Sequence, residues 1–162
     1  MQKISPFLWY NNDAEEAVNF YISVFPDSKI ISSTRFEPDS AKATGQKEGS
    51  IMTITFRLRD QEITVINGGP AFKLNEAISF TVVCQNQEEV DTYWNALTAD
   101  GGEESQCGWL KDKFGLSWQI VPVQMFEIMA KGGEANVRAR KAMFKMKKFD
   151  IQKLEEAAAG KE

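Results

Sequence analysis

"PFLWYNNDAEEAVNFYISV" (6–24) and "SFTVVCQNQEEVDTYWNAL" (79–97) are two passes through one pattern, offset by 73 residues without a gap. Each opens on a strand-like apolar run. Each then carries a helix-start pair, an acceptor side chain with a carboxylate three positions on: Asp13 with Glu16, and Asn86 with Glu89. That is the spacing of a capping box. Each continues with an aromatic pair at the same place, Phe20–Tyr21 and Tyr93–Trp94. Helical spacing groups Ala14, Ala17, Val18, Tyr21 and Phe25 on one face of the first helix. It groups Val90, Tyr93, Trp94 and Leu97 on one face of the second.

Strand patterns follow each helix. In the first half they cover 28–36, 49–58 and 61–67; in the second, 104–112 and 116–121. Residues 37–48 are polar and read as an exposed loop marked by Pro38 and Gly45. "NGGP" (67–70) is a strong breaker between the halves. The element order is βαβββ twice, an α+β pattern. One such half has a sheet face with nothing to cover it. Two halves together are expected to form a curved mixed sheet around a cleft. The domain boundaries expected are 1–122 for the pair, with modules at about 1–67 and 77–122, and a helical tail over 123–162.

Composition narrows the chemistry. The chain has 162 residues and no histidine, so every mechanism that needs a histidine base or ligand within the chain is excluded. A net charge of −4 gives no general pull toward nucleic acid or membrane. No run of about 18 apolar residues is present, so no membrane span is expected. The first residues lack the apolar stretch of a signal peptide. Two cysteines, Cys84 and Cys107, make no disulfide framework, and a cytoplasmic location is expected.

The stretches "PFLWYNNDAEEAVNFYISVFPDSKI", "NGGPAFKLNEAISFTV", "EEVDTYWNALTADGG" and "CGWLKDKFGLSWQIVP" resemble the PhnB-like branch of the vicinal oxygen chelate superfamily, over residues 4–122. The superfamily includes glyoxalases, bleomycin-resistance proteins and extradiol dioxygenases. The resemblance implies a glyoxalase-like fold, paired subunits, and a divalent metal held by His, Gln or Glu from both halves. Members of this branch often carry the label 3-demethylubiquinone-9 3-methyltransferase. Methyl transfer needs a site for the methyl donor, and the usual glycine-rich strand–turn–helix opening is missing here. The pairs Gly68–Gly69, Gly101–Gly102 and Gly132–Gly133 sit at turns instead.

Carried over by resemblance, the ligand positions fall on Pro6, Ser79 and Gln119, with Thr64 or Val65 as the remaining one. Proline offers no donor, and serine, threonine and a lone amide are poor ligands for a transition ion. No metal and no cofactor are therefore expected. Strand alternation supplies a cleft wall instead. Leu8 and Tyr10 are expected to face inward with Pro6, leaving Phe7 and Trp9 toward the helix. Ser79 and Thr81 face inward from the second half, as do Ser117 and Gln119. Asn67, Phe72 and Trp109 are placed at the mouth. The alternative for Gln119 is an amide spent on a neighbouring strand. Asp112 reads as a turn residue, and Cys107 as a small buried hydrophobe.

The tail holds a short helix ended by Gly132–Gly133 and a longer one running on from Glu134. Lys131 to Lys148 contains seven basic residues and one acidic one, which leaves −10 for the rest of the chain. A basic helix beside an acidic body points to docking on the chain itself or on a sister subunit. The function expected is binding of a small organic molecule in a metal-free cleft by a homodimer. The alternative is a metal-dependent glyoxalase or resistance-type enzyme. No reaction is assigned.

Overall fold

The computed structural model describes residues 3–161. They form two compact units that divide between Leu74 and Asn75, each with its own four-stranded mixed sheet.

The first unit runs β1 (Phe7–Tyr10), α1 (Ala14–Val24), β2 (Lys29–Arg35), α2 (Pro38–Thr44), β3 (Ile51–Leu58) and β4 (Gln61–Asn67). Its strand order is β1-β4-β3-β2, with β1 parallel to β4 and the other pairs antiparallel. Period-two alternation along β3 and β4 puts Ile54, Phe56, Leu58, Ile63 and Val65 in the core. Helix α1 meets that face with Ala14, Ala17, Val18 and Tyr21, all buried. The Tyr21 ring stacks on Phe56 at 6.4 Å, and its hydroxyl pairs with the Tyr10 hydroxyl at 3.0 Å. Each large apolar side chain buried here is worth about 1.5–3 kcal/mol.

Two expectations are corrected in this unit. The loop over 37–48 contains α2. Pro38 stands at its first turn, Glu37 and Ser40 make a reciprocal cap, and Gly45 closes it at φ 71°. The second correction concerns β1. Leu8 (4% exposed) and Tyr10 (2%) lie in the core under α1, whereas Phe7 is 61% exposed. The cause is a one-residue difference between the repeats. Three residues, Asn11 to Asp13, join β1 to α1, but only Gln85 and Asn86 join the matching strand and helix of the second unit. An ungapped offset therefore aligns the helices and slips the strands by one, and a one-residue slip exchanges the two faces. Helix α1 also starts differently from the capping box expected. Asp13 makes no side-chain cap; Asn67 Oδ1 accepts the Ala14 N–H at 3.0 Å instead.

The second unit runs β5 (Ser79–Cys84), α3 (Gln87–Thr98), β6 (Glu103–Glu104), β7 (Trp109–Lys111) and β8 (Ser117–Pro122), ordered β5-β8-β7-β6. The strand expected over 104–112 is split, because Cys107 and Gly108 both take positive φ, 58° and 81°. Here Asn86 caps as expected, its Oδ1 accepting from Glu89 N at 2.9 Å, while Glu89 Oε2 reaches one residue past the cap to accept from Gln85 N at 2.8 Å. The α3 face of the sheet buries Trp118, Ile120, Leu110 and Cys84 against Val90, Trp94 and Leu97.

The tail belongs to this second unit. Its helices are α4 (Val123–Lys131), α5 (Gly133–Met143) and α6 (Ile151–Ala159). The long helix expected from Glu134 onward breaks at residues 144–150, where backbone carbonyls are needed elsewhere. Met146 O and Lys147 O accept the N–H groups of Cys107 and Gly108, both at 2.8 Å. Gln87 donates to Phe149 O and accepts from Ile151 N. Asp150 then caps α6 through Lys153 N. Lys148 meets Asp91 at 2.7 Å. Lys148, then Gln87, hold the Asp91 carboxyl below its ordinary range. That contribution to docking is present above the ordinary carboxylate range and is lost as pH falls through the lowered value. Among the described residues no helix is long and apolar enough to cross a membrane.

Gly108 tests the docking. A methyl group added there would overlap the Phe149 ring and lie 2.8 Å from Ile120 O. Gly108→Ala is expected to lower unfolding stability by about 2–3 kcal/mol in denaturant titration. Gly45→Ala, in the left-handed helical region with nothing within 4 Å of the added methyl, should cost only about 1 kcal/mol of backbone strain.

Candidate functional site

The second sheet has one face under α3 and one face turned away from it. Register decides what the open face carries. Ser79 pairs with Ser117 and Thr81 with Gln119 across β5 and β8. Across β8 and β7, Gln119 opposes Trp109 and Ser117 opposes Lys111; Glu103 then opposes Lys111. Two rows result, Thr81–Gln119–Trp109 and Ser79–Ser117–Lys111–Glu103. The structure thus puts Ser79, Thr81, Ser117 and Gln119 on one face, in the phase the alternation gives, and adds Trp109, which was expected at the mouth, to the same face.

Gln119 meets a neighbouring strand. Its Nε2 donates to Ser79 Oγ at 2.9 Å. Ser117 is different. It is 1% exposed, and its hydroxyl has no hydrogen-bond partner. At the end of its row, Lys111 Nζ lies 3.2 Å from Glu103 and 3.3 Å from Glu76. Those two carboxylates, Glu103 first, hold the Lys111 ammonium above its ordinary range, so it stays charged.

One side chain sets this register. Asp112, 2% exposed, accepts from Phe114 N and Leu116 N through Oδ1 at 2.9 and 3.0 Å, and from Trp118 Nε1 through Oδ2 at 2.8 Å. It closes the β7–β8 turn and pins Trp118 to the α3 side, which puts Ser117 and Gln119 on the opposite face.

The open face of the first sheet is made differently. Leu8, Tyr10 and Asn67 are not on it. Leu8 and Tyr10 pack under α1. Asn67 is buried, with its amide donating to Ile51 O at 3.0 Å while its carbonyl caps α1. In their place stand Phe7 and Trp9, which the alternation had assigned to the helix side. Trp9 Nε1 donates to Gly69 O at 2.9 Å, and Phe72 meets the Trp9 ring edge-on at 5.0 Å. Gly68 has no side chain because one would run into the Trp9 ring. Hydroxyl pairs complete the face, Thr55 with Thr64 at 3.0 Å and Thr34 with Thr53 at 2.6 Å. Of the two candidates in β4, Thr64 lies on the open face and Val65 in the core. The slip in β1 also moves the position matching Ser79 from Pro6 to Ser5.

These donors do not suit the divalent metal of the superfamily. The second unit offers a serine and an amide already bonded to each other; the first offers a threonine bonded to a threonine. Neutral hydroxyls and one amide are weak partners for such an ion. Among the described residues no group of three Cys, Asp or Glu side chains stands close enough to hold one. Nucleophilic chemistry finds no support at Cys84, whose thiol burial pushes up to about 12, with the Glu89 charge adding to the effect.

Doubled βαβββ units with open sheet faces are the architecture of the vicinal oxygen chelate superfamily. Within it, the chain belongs to the 3-demethylubiquinone-9 3-methyltransferase family, whose model matches residues 2–121. It is similar to the PhnB protein from Bacillus cereus, with 36% identity over 75% of this chain and 99% of that one, at a TM-score of 0.66. Protein PA1353 from Pseudomonas aeruginosa shares the fold at 19% identity, covering 75% of this chain and 98% of that one, with a TM-score of 0.61. So does the fosfomycin resistance protein FosX from Listeria monocytogenes, at 16% identity, 75% and 90% coverage and a TM-score of 0.53. No curated protein matches the chain. Helices α4 to α6 lie beyond the family match.

Replacing Asp112 by Ala leaves three donors without their acceptor. Asp112→Ala is expected to cost about 2–4 kcal/mol of stability, read by guanidinium unfolding. Asp112→Asn, which keeps an acceptor oxygen, should cost less.

Proposed function

We propose that the protein binds a small organic molecule on the open face of the second sheet without a metal ion, and that it does so as a cytoplasmic homodimer. The open face of the second sheet carries the reading: Thr81, Gln119 and Trp109 stand in one row across three strands, so an indole wall, the hydroxyls of Ser79 and Thr81 and the Gln119 amide share one surface. Methyl transfer is not favoured, since the glycines at positive φ sit in turns and caps rather than at a donor-binding strand–helix junction. The free thiols Cys84 and Cys107 suit a reducing compartment.

A thermal-shift screen against a metabolite library, run with and without chelator, tests the reading. At least one compound should raise the melting temperature equally in both conditions. Gln119→Leu should fold nearly as well as the parent and weaken that compound by about 1–2 kcal/mol, the net value of one hydrogen bond. Stoichiometric zinc, nickel or manganese in the purified protein, with stabilisation only in its presence, would return the function to metal-assisted catalysis.

The dimer is supported by β2, a seven-residue edge strand exposed along its whole length, with Ile30 and Ile31 both outward. Light scattering at micromolar concentration should give twice the chain mass of 18.3 kDa; a monomer would count against it.

A further inference from the structure

Helices α5 and α6, with the segment 144–150 between them, meet the body of the second unit along a thin seam. Of the two helices' residues, Ala139 and Leu154 are buried; in the joining segment, Phe149 is. Its ring lies where a Gly108 side chain would. The Met146 and Lys147 carbonyls hold the Cys107 and Gly108 N–H groups, and Gln87 bonds Phe149 O and Ile151 N. Two half-exposed ion pairs, Lys147–Glu104 and Lys148–Asp91, complete the seam. At the other end, Gly132 and Gly133 join α4 to α5, both at positive φ with nothing within 4 Å of an added methyl. Consecutive glycines in open space can absorb a hinge rotation. The seam falls on one turn. Trp109 N–H donates to Gln106 O and Ser105 N–H to Trp109 O, so residues 106–108 turn the chain from β6 into β7. Cys107 holds φ 58° there, which a residue with a side chain disfavours. Trp109, two residues on, opposes Gln119 on the open face.

We propose that α5, the 144–150 segment and α6 act as a strap that opens and closes as one piece about Gly132–Gly133, and that closure positions Trp109 on the open face. Closed, the strap's two carbonyls hold the 106–108 turn with Cys107 left-handed, and Phe149 backs Gly108. Open, those two N–H groups lose their acceptors, Cys107 relaxes to an ordinary φ, and Trp109 moves with the turn. A ligand that lies on Trp109 therefore favours the closed strap, and closure favours the ligand by the same factor. The half-exposed ion pairs make closure sensitive to salt. The proposal rests on the reading of the second sheet's open face as a binding surface, and it adds how that face is controlled.

Hydrogen exchange of the full-length chain, followed residue by residue by NMR, reads the strap without any ligand. The amides of Cys107, Gly108 and Ile151 find their acceptors across the seam. They are expected to share one protection factor, about tenfold or more below that of the β8 amides. Lys147→Gln combined with Lys148→Gln should lower all three together by about fivefold, and added sodium chloride should act in the same direction. In Phe149→Ala the open form should dominate, and the Trp109 indole N–H resonance should move while that of Trp9 stays. Phe149→Leu carries this arm if the alanine variant does not fold. Protection equal to that of β8, or three amides that respond separately, overturns the strap. Amides that open together while Trp109 keeps its resonance overturn the link to the open face. A silent metabolite screen beside an opening strap overturns the binding reading and leaves the hinge standing.

Discussion

A buried carboxylate governs the second half of this protein. Asp112 gathers two backbone N–H groups of its own turn and the Trp118 indole. A carboxylate taken out of water is tolerated only when such partners replace its hydration. Those partners lie two, four and six residues ahead, so the hairpin can close in one register only. With Trp118 held on the α3 side, Ser117 and Gln119 have no choice of face, and the opposing residues Lys111 and Trp109 follow. The composition of the open face is thus a consequence of a turn.

The first half reaches its register by another route. Asn67 ties β4 to the start of α1 and to β3, and the paired hydroxyls of Tyr10 and Tyr21 tie α1 to β1. The helices were legible in the sequence because their apolar positions recur with a 3.6-residue period over 11 and 12 residues. The faces of β8 were legible too, since Ser–Trp–Gln–Ile alternates cleanly. The faces of β1 were not. "FLWY" is apolar at every position, so alternation has nothing to register on, and the offset taken from the helices supplied the wrong phase. The exposed aromatic face of Phe7 and Trp9 became visible only with the Gly68–Gly69 backbone beside it.

Other misreadings have local causes. Pro38 and Gly45 punctuate a loop and a short helix alike; the Glu37–Ser40 cap distinguishes them, and its order, carboxylate before hydroxyl, reverses the usual one. The stretch "FKMKKFD" fits a helix by propensity, yet its carbonyls serve the N–H groups of Cys107 and Gly108. Tertiary demand overrode local preference there. No sequence signal marks Ser117 as unpartnered, because that depends on which neighbours are already engaged.

The two sheet edges are treated unequally. On the second sheet, the outer strand β6 is only two residues long, and the tail's carbonyls take up donors of the adjoining segment. On the first, β2 lies open, but its pairing with β3 is irregular between Ile30 and Ser32 and again between Thr34 and Arg35. Lys29 and Arg35 stand at its ends. Bulges and terminal cations spoil a strand as a template for indefinite addition. The chain can therefore offer a free edge without inviting fibrillar growth: any strand that docks there must match two irregularities, and an unrelated extended peptide will not.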